Sequence, residues 1–117
     1  MRKLDAALAE TLGYEVREIQ GEYILPMGQR DISFPEEVPY YSEDGNAMIE
    51  LDAEMRGREW LLTVSQSNSG GAWKAEYMLA EIKYGASNYD FAIADTMPKA
   101  VALAAYKALT GKGWTDE

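Results

Sequence analysis

The sequence predicts an α+β fold in which an antiparallel β-sheet, a three-stranded meander plus an N-terminal hairpin, is sandwiched between helices. Two patterns of apolar residues carry this prediction, helical spacing and strand alternation. Helical spacing occurs in residues 2–12, 43–56 and 97–109, and strand alternation in residues 58–66, 72–84 and 88–94. The length of 117 residues suits a single α/β/α sandwich domain over residues 1–117.

The first element is a short amphipathic helix over residues 2–12, which Gly13 ends as a C-cap. A hairpin follows, because residues 14–16 and 22–25 favour extended backbone and flank a turn at Gln20-Gly21. From there to Tyr41, prolines and the lack of periodic apolar residues predict a long surface loop.

The second helix is predicted to begin after Ser42, a good N-cap, and its apolar stripe contains Met48, Leu51 and Met55. Its outer face is acidic throughout and is predicted to lack partners within the chain. The acidic residues of this face are Glu50, Asp52 and Glu54.

The meander is predicted from its three alternating segments and from two turns, at residues 67–71 and 85–88. Trp73 and Tyr77 share one face of the middle strand, whereas Met78 lies on the other face. Because both faces of the strands carry apolar side chains, we expect cover on both sides of the sheet.

The last helix is predicted to organise the chain. Asp95 or Thr96 is a suitable N-cap, Pro98 falls in the first turn and Gly111 provides the stop. Five alanines within residues 97–109 allow close packing on a sheet. The other elements are therefore expected to pack around this helix.

The composition excludes several classes of function. The chain has no cysteine and no histidine, so thiolate catalysis and disulfides are excluded and the commonest general base and zinc ligand are missing. No Walker loop, nucleophile elbow or calcium loop occurs. We expect no enzyme activity, no cofactor and no bound metal.

Charge and hydropathy limit the partners. Residues 1–55 carry 13 acidic and 4 basic side chains, and the net charge of the chain is -9. This balance disfavours duplex DNA and anionic membranes, which need a basic surface. Since the sequence has no apolar run that spans a bilayer and no secretion signal, we expect a cytoplasmic protein.

Three segments resemble the phage ABA-sandwich domain, a family of small phage and prophage proteins in which an antiparallel sheet lies between helical layers. They run from Leu4 to Tyr14, from Pro39 to Met55 and from Ala94 to Leu109. Ile49 replaces the tryptophan often found on the family's second helix. The family has no settled activity, but the resemblance implies a phage or prophage origin and action in the cytoplasm of a bacterial host.

Aromatic and basic residues are the candidates for a ligand site. Trp73 and Tyr77 are predicted to flank a planar group near the hairpin tip, where Arg58 would meet a phosphate. Tyr40 and Tyr41 are further candidates for stacking. The alternatives are that the aromatic residues cover the core or a sheet edge, and that Arg58 offsets neighbouring acids.

Three functions remain open. The first is a non-catalytic protein that counters host defence by sequestering a nucleotide signal or by occupying a host protein. The second is an acidic mimic of nucleic acid, which would inhibit a DNA-binding host protein through the acidic face of the second helix. The third is a structural or assembly factor that acts as a homo-oligomer.

Overall fold

The computed structural model of the protein describes residues 2–26, 35–67, 71–79 and 89–115. Within these ranges the chain forms three helices and two three-stranded antiparallel sheets, which confirms the α+β class. In chain order the elements are α1 (Arg2–Thr11), β1 (Arg17–Ile19), β2 (Glu22–Leu25), β3 (Glu36–Glu37), α2 (Gly45–Gly57), β4 (Trp60–Gln66), β5 (Trp73–Leu79), β6 (Tyr89–Ala94) and α3 (Met97–Thr110).

Helix α3 lies at the centre of the fold, as predicted. Thr96 is its N-cap and accepts a hydrogen bond from the backbone N–H of Lys99 at 3.4 Å. Gly111 ends the helix in the left-handed conformation, with φ of 76°. Helix α3 contacts β5 and β6 on one side and α1 and α2 on others, so its alanine-rich surface is buried between them.

Strands β4, β5 and β6 form the predicted meander, with β5 in the middle. Trp60 pairs with Leu79 at one end of the β4–β5 hairpin, and Gln66 pairs with Trp73 at the other. Trp73 also pairs with Ala94 of β6. Residues 68–70 of the turn predicted at 67–71, the continuation of the middle strand over 80–84 and the turn at 85–88 lie outside the described residues.

The N-terminal hairpin is also confirmed, although its first strand begins at Arg17 rather than at Tyr14. Gln20 and Gly21 have φ of 52° and 82°, the pair of positive angles that a two-residue type I′ turn requires. The third strand of this sheet, β3, pairs with β2, so the hairpin belongs to a second sheet and does not extend the meander as predicted.

The segment before α2 is not a surface loop where the structure describes it, because Val38 and Tyr41 are buried in the core. The Arg2 guanidinium holds this segment against α1: it donates to the Val38 carbonyl at 2.7 Å and lies 3.7 Å from the centre of the Tyr40 ring. Residues 27–34 of the predicted loop lie outside the described ranges.

Helix α2 begins at Gly45, two residues later than predicted, and its N-cap is Asp44 instead of Ser42. The Asp44 carboxylate accepts from the backbone N–H of Asn46 at 3.4 Å. Ser42 is buried, and its backbone N–H donates to the buried carboxylate of Asp5 at 2.9 Å. A carboxylate from α1 thus holds the Ser42 backbone, and the N–H groups of Glu43 and Asp44 donate to the Tyr40 carbonyl, so a turn precedes the helix and the cap lies further along the chain.

The helices cover one face of the meander. Helix α2 contacts β4, α3 contacts β5 and β6, and α1 packs behind α3. The described part of the chain shows no helix on the other face, where large apolar side chains are exposed. The predicted cover on both faces is therefore not seen there. None of the described helices has the length and apolar character needed to cross a membrane.

Candidate functional site

An unusual surface among the described residues is the side of the meander that faces away from the helices. Its large apolar side chains alternate along the strands with residues that point into the core, and they remain exposed to solvent. They are Leu61 at 49%, Met78 at 42%, Phe91 at 40% and Ile93 at 59% exposure. We call these four residues the open face.

The strand register makes the open face continuous. Leu61 and Met78 are direct cross-strand partners, and Met78 pairs with Tyr89, so Phe91 lies one diagonal step from Met78. Direct and diagonal neighbours are separated by about 5 and about 7 Å, within reach of long side chains. The open face is therefore an apolar stripe that crosses all three strands.

Charged groups lie beside this stripe. Lys74 and Glu76 point outward from β5 and form an ion pair at 2.8 Å. The ammonium groups of Lys74 and Lys107 lie 4.9 and 5.2 Å from the centre of the Phe91 ring. Lys107 comes from the last turn of α3. On a chain with a net charge of -9, the open face thus has cations at its β6 side.

A shallow groove borders the open face at the tip end of the β4–β5 hairpin. Its volume is about 230 Å³, and its lining includes Trp73, Lys74 and Ile93. Lys74 and Ile93 also belong to the outward side of the meander, so the groove continues the apolar stripe. The volume falls below the roughly 300 Å³ at which small-molecule sites usually begin.

A contiguous apolar patch of this kind is suited to binding another protein. Single exposed apolar residues are normal on protein surfaces, but a connected patch with a polar rim marks an interaction site. Burial of the stripe would release water from four large side chains while Lys74 and Glu76 stay paired at its side.

The predicted pairing of Trp73 with Tyr77 around a ligand is wrong. Both point to the same side of β5, as predicted, but that side faces the core: Tyr77 is fully buried and Trp73 is half-buried. Ala75 lies between them, and four residues of strand separate the two rings by about 13 Å. Trp73 alone reaches a surface groove.

Arg58 does not reach this groove. It precedes β4 at the end of the hairpin opposite Trp73, and the strand from Trp60 to Gln66, the partner of Trp73, alone spans about 20 Å. Its guanidinium donates to the Leu12 carbonyl at 2.8 Å and so provides a hydrogen-bond partner for a carbonyl at the C-terminal end of α1. The basic residue beside Trp73 is its neighbour Lys74.

Tyr40 and Tyr41 have different surroundings from each other. Tyr41 is buried in the core and cannot stack on a ligand. Tyr40 is exposed, but its ring lies against the Arg2 guanidinium and its hydroxyl donates to Glu37 at 3.3 Å. It lines a separate groove of about 200 Å³ beside the N-terminal hairpin, so it does not join Trp73 in one site.

The predicted acidic face of α2 is not a row of carboxylates without partners. Asp52 is buried, accepts from the Tyr77 hydroxyl at 3.1 Å and pairs with Arg56 at 2.7 Å. Glu54 accepts from the Tyr14 hydroxyl at 2.5 Å. Only Glu50 of the three is exposed. Burial, together with the Asp52 charge, raises the pKa of Tyr77 well above its usual range, so this hydroxyl stays protonated.

The residues of the open face are visible in the sequence, where their alternation predicts that a second layer covers them. Alternation shows which residues share a face, yet an apolar face that packs against a helix and one that awaits a partner look alike. Asp52 left a clearer signal, because it lies one residue after Leu51 and three before Met55, beside the apolar stripe of α2. Lys107 gave none.

Comparison of the chain with protein-family models, with curated proteins and with solved structures finds no match. The resemblance to the phage ABA-sandwich domain therefore rests on its three sequence segments alone.

Proposed function

We propose that this protein is a non-catalytic binding protein that acts by occupying another protein through its open face. The single observation that carries the proposal is the apolar stripe Leu61, Met78, Phe91 and Ile93, exposed on one side of a sheet whose other side is packed. A sheet with one packed side needs no second apolar side for its own stability. An exposed apolar side lowers the solubility of the protein, and a binding role accounts for its presence.

The setting of this function follows from the resemblance to phage and prophage proteins. In that setting the partner is a protein of the bacterial host, and occupying a protein of host defence is the leading possibility. The role of an acidic mimic has weaker support. An acidic mimic of nucleic acid needs an array of carboxylates, but Asp52 is buried and Glu54 has a partner.

A matched pair of variants tests the proposal. Ile93→Lys places a charge on the open face, whereas Ile19→Lys does the same on β1; both isoleucines lie on strands, at 59% and 53% exposure. A host protein that binds through the open face should be retained from bacterial lysate by the wild type and by Ile19→Lys but not by Ile93→Lys. Equal retention by all three proteins would contradict the proposal.

A second candidate, binding of a small nucleotide, has one observation in its favour: the groove that contains Trp73 and Lys74. An indole can stack on a base and an ammonium can meet a phosphate. Titration with a panel of cyclic and linear nucleotides, followed by tryptophan emission, tests it. A response in the wild type that Trp73→Ala loses would support a nucleotide, and no change in emission or melting temperature would exclude it.

A further inference from the structure

We propose that the occupant of the open face is a single amphipathic helix of the partner protein, with a carboxylate beside its apolar stripe. This inference rests on the proposed function and adds the class of partner. Its three supports are the size of the face, the course of the stripe and the charges that flank Phe91.

The size of the meander fits one helix. Strands of seven residues and a width of three strands give a surface of about 23 by 14 Å. A helix with its side chains is about 10 Å across, and about 16 residues of helix span 23 Å. The helix α3 covers β5 and β6 on the inner side in this way with 14 residues.

The same dimensions argue against a second copy of this chain as the occupant. A stable dimer needs about 800 Å² buried on each partner, whereas the footprint of the outer side is about 330 Å². Two chains with a charge of -9 each also repel one another at low salt. A single helix of another protein fits within this footprint and does not bring a second charge of -9 to the interface.

The shape of the stripe fits the apolar side of an amphipathic helix. Its four side chains follow one another across the sheet as a narrow band, with Lys74 and Glu76 on one side. A helix that repeats apolar residues at i, i+3, i+4 and i+7 presents a band of similar width. An extended segment would instead present apolar residues on alternate positions, in a row that is one side chain wide.

The charges at the β6 side of the open face indicate which charge the partner helix should carry beside its apolar stripe. Lys107 forms no ion pair with the described residues, and its ammonium lies over one side of Phe91. A helix seated on Phe91 would partly remove this ammonium from water, which is favourable only if an opposite charge faces it. The partner helix should therefore carry Asp or Glu next to the apolar residue that contacts Phe91.

Two peptide libraries test this inference against the intact protein. Both contain peptides of about 16 residues with the same composition; one places apolar residues at helical spacing and the other at alternate positions. Binders are selected on the wild type alone, and each is then measured on the wild type, on Ile93→Lys and on Ile19→Lys. We expect binders from the helical library only, with affinity reduced about tenfold by Ile93→Lys and unchanged by Ile19→Lys.

An exchange of charge between Lys107 and the acidic residue of the selected peptides tests the predicted carboxylate. Lys107→Glu should weaken the selected peptides about fivefold, and replacing their conserved acidic residue by lysine should restore binding to that variant. Failure of this rescue would overturn the assignment of the carboxylate.

The remaining outcomes separate this inference from the proposed function. Binders from the alternating library that still depend on Ile93 would overturn the helix and leave protein binding intact. Dimerisation of the chain, measured by sedimentation and abolished by Ile93→Lys, would identify a second copy as the occupant and overturn the inference. If neither library binds the open face and the chain stays monomeric, the helix is excluded, and the lysate experiment decides the proposed function by itself.

Discussion

Two buried carboxylates join elements that are distant in the sequence. Asp5 of α1 accepts from the Arg2 guanidinium and from the backbone of Ser42, each at 2.9 Å. Asp52 of α2 accepts from the Tyr77 hydroxyl of β5 and from Arg56. A buried charge is tolerated only when its oxygens are satisfied, so these side chains fix how the elements meet.

Removing the Asp52 carboxylate should therefore destabilise the fold. We expect Asp52→Ala to lower the free energy of unfolding by about 1–3 kcal/mol, because the buried Tyr77 hydroxyl loses its acceptor. Glu50→Ala, an exposed change on the same helix, is the control and should stay within about 0.5 kcal/mol of the wild type. Urea denaturation measures both, and equal effects would show that Asp52 is not a buried link.

Tyr77 should also make the fold sensitive to alkali. Its pKa is raised in the folded chain, whereas in the unfolded chain it ionises near pH 10. The stabilisation from the neutral hydroxyl is thus complete below about pH 10 and is lost as the pH rises further, since the unfolded state then holds fewer protons. Urea midpoints from pH 8 to 11 should fall less steeply for Tyr77→Phe; parallel curves would contradict this.

At the scale of elements, α3 shows what a sequence can specify. Its cap at Thr96, its proline in the first turn and its stop at Gly111 are local signals, and each lies where predicted. Local signals failed for Ser42, which lies in a buried turn on the Tyr40 carbonyl and whose backbone N–H is held by Asp5, 37 residues away. They failed in the same way for Tyr77, since the burial of a strand face depends on which helices reach it.

The close packing of α3 predicts that a larger side chain on its buried surface destabilises the fold. Ala104 is fully buried, so Ala104→Leu should overpack the contacts of the helix and cost about 1–3 kcal/mol. The matched control is Ala53→Leu on the exposed side of α2, which should cost much less. Thermal melting compares them, and an unchanged melting temperature for Ala104→Leu would show that α3 is not enclosed.

At the scale of the whole molecule, the sequence predicts the α+β class, the hairpin and the meander, but the structure does not bring the candidate ligand residues together. Trp73 does line a groove, whereas Tyr77, Tyr41 and Arg58 have structural roles. The open face was missed for a physical reason. Hydrophobic alternation reports the chemistry of a strand face, and only tertiary structure shows whether another layer covers it.

The charge of the whole molecule carries a separate prediction. With a net charge of -9, the protein should not bind duplex DNA at physiological salt, because phosphate binding requires release of counterions by basic groups. Lys74 and Lys107 are too few to reverse this. An electrophoretic mobility assay should show no complex at micromolar protein concentration, and a shifted band in that range would contradict the prediction.

The central claim is that the outer side of the meander is uncovered in the free protein. Because the chain has no cysteine, single-cysteine variants measure this directly through their rates of thiol alkylation. Ile49→Cys on α2 serves as the exposed reference and Ala75→Cys as the buried one. Cysteines at positions 78 and 93 should react nearly as fast as the one at 49. Protection of both to the level of position 75 would show that this face is covered and would contradict the claim.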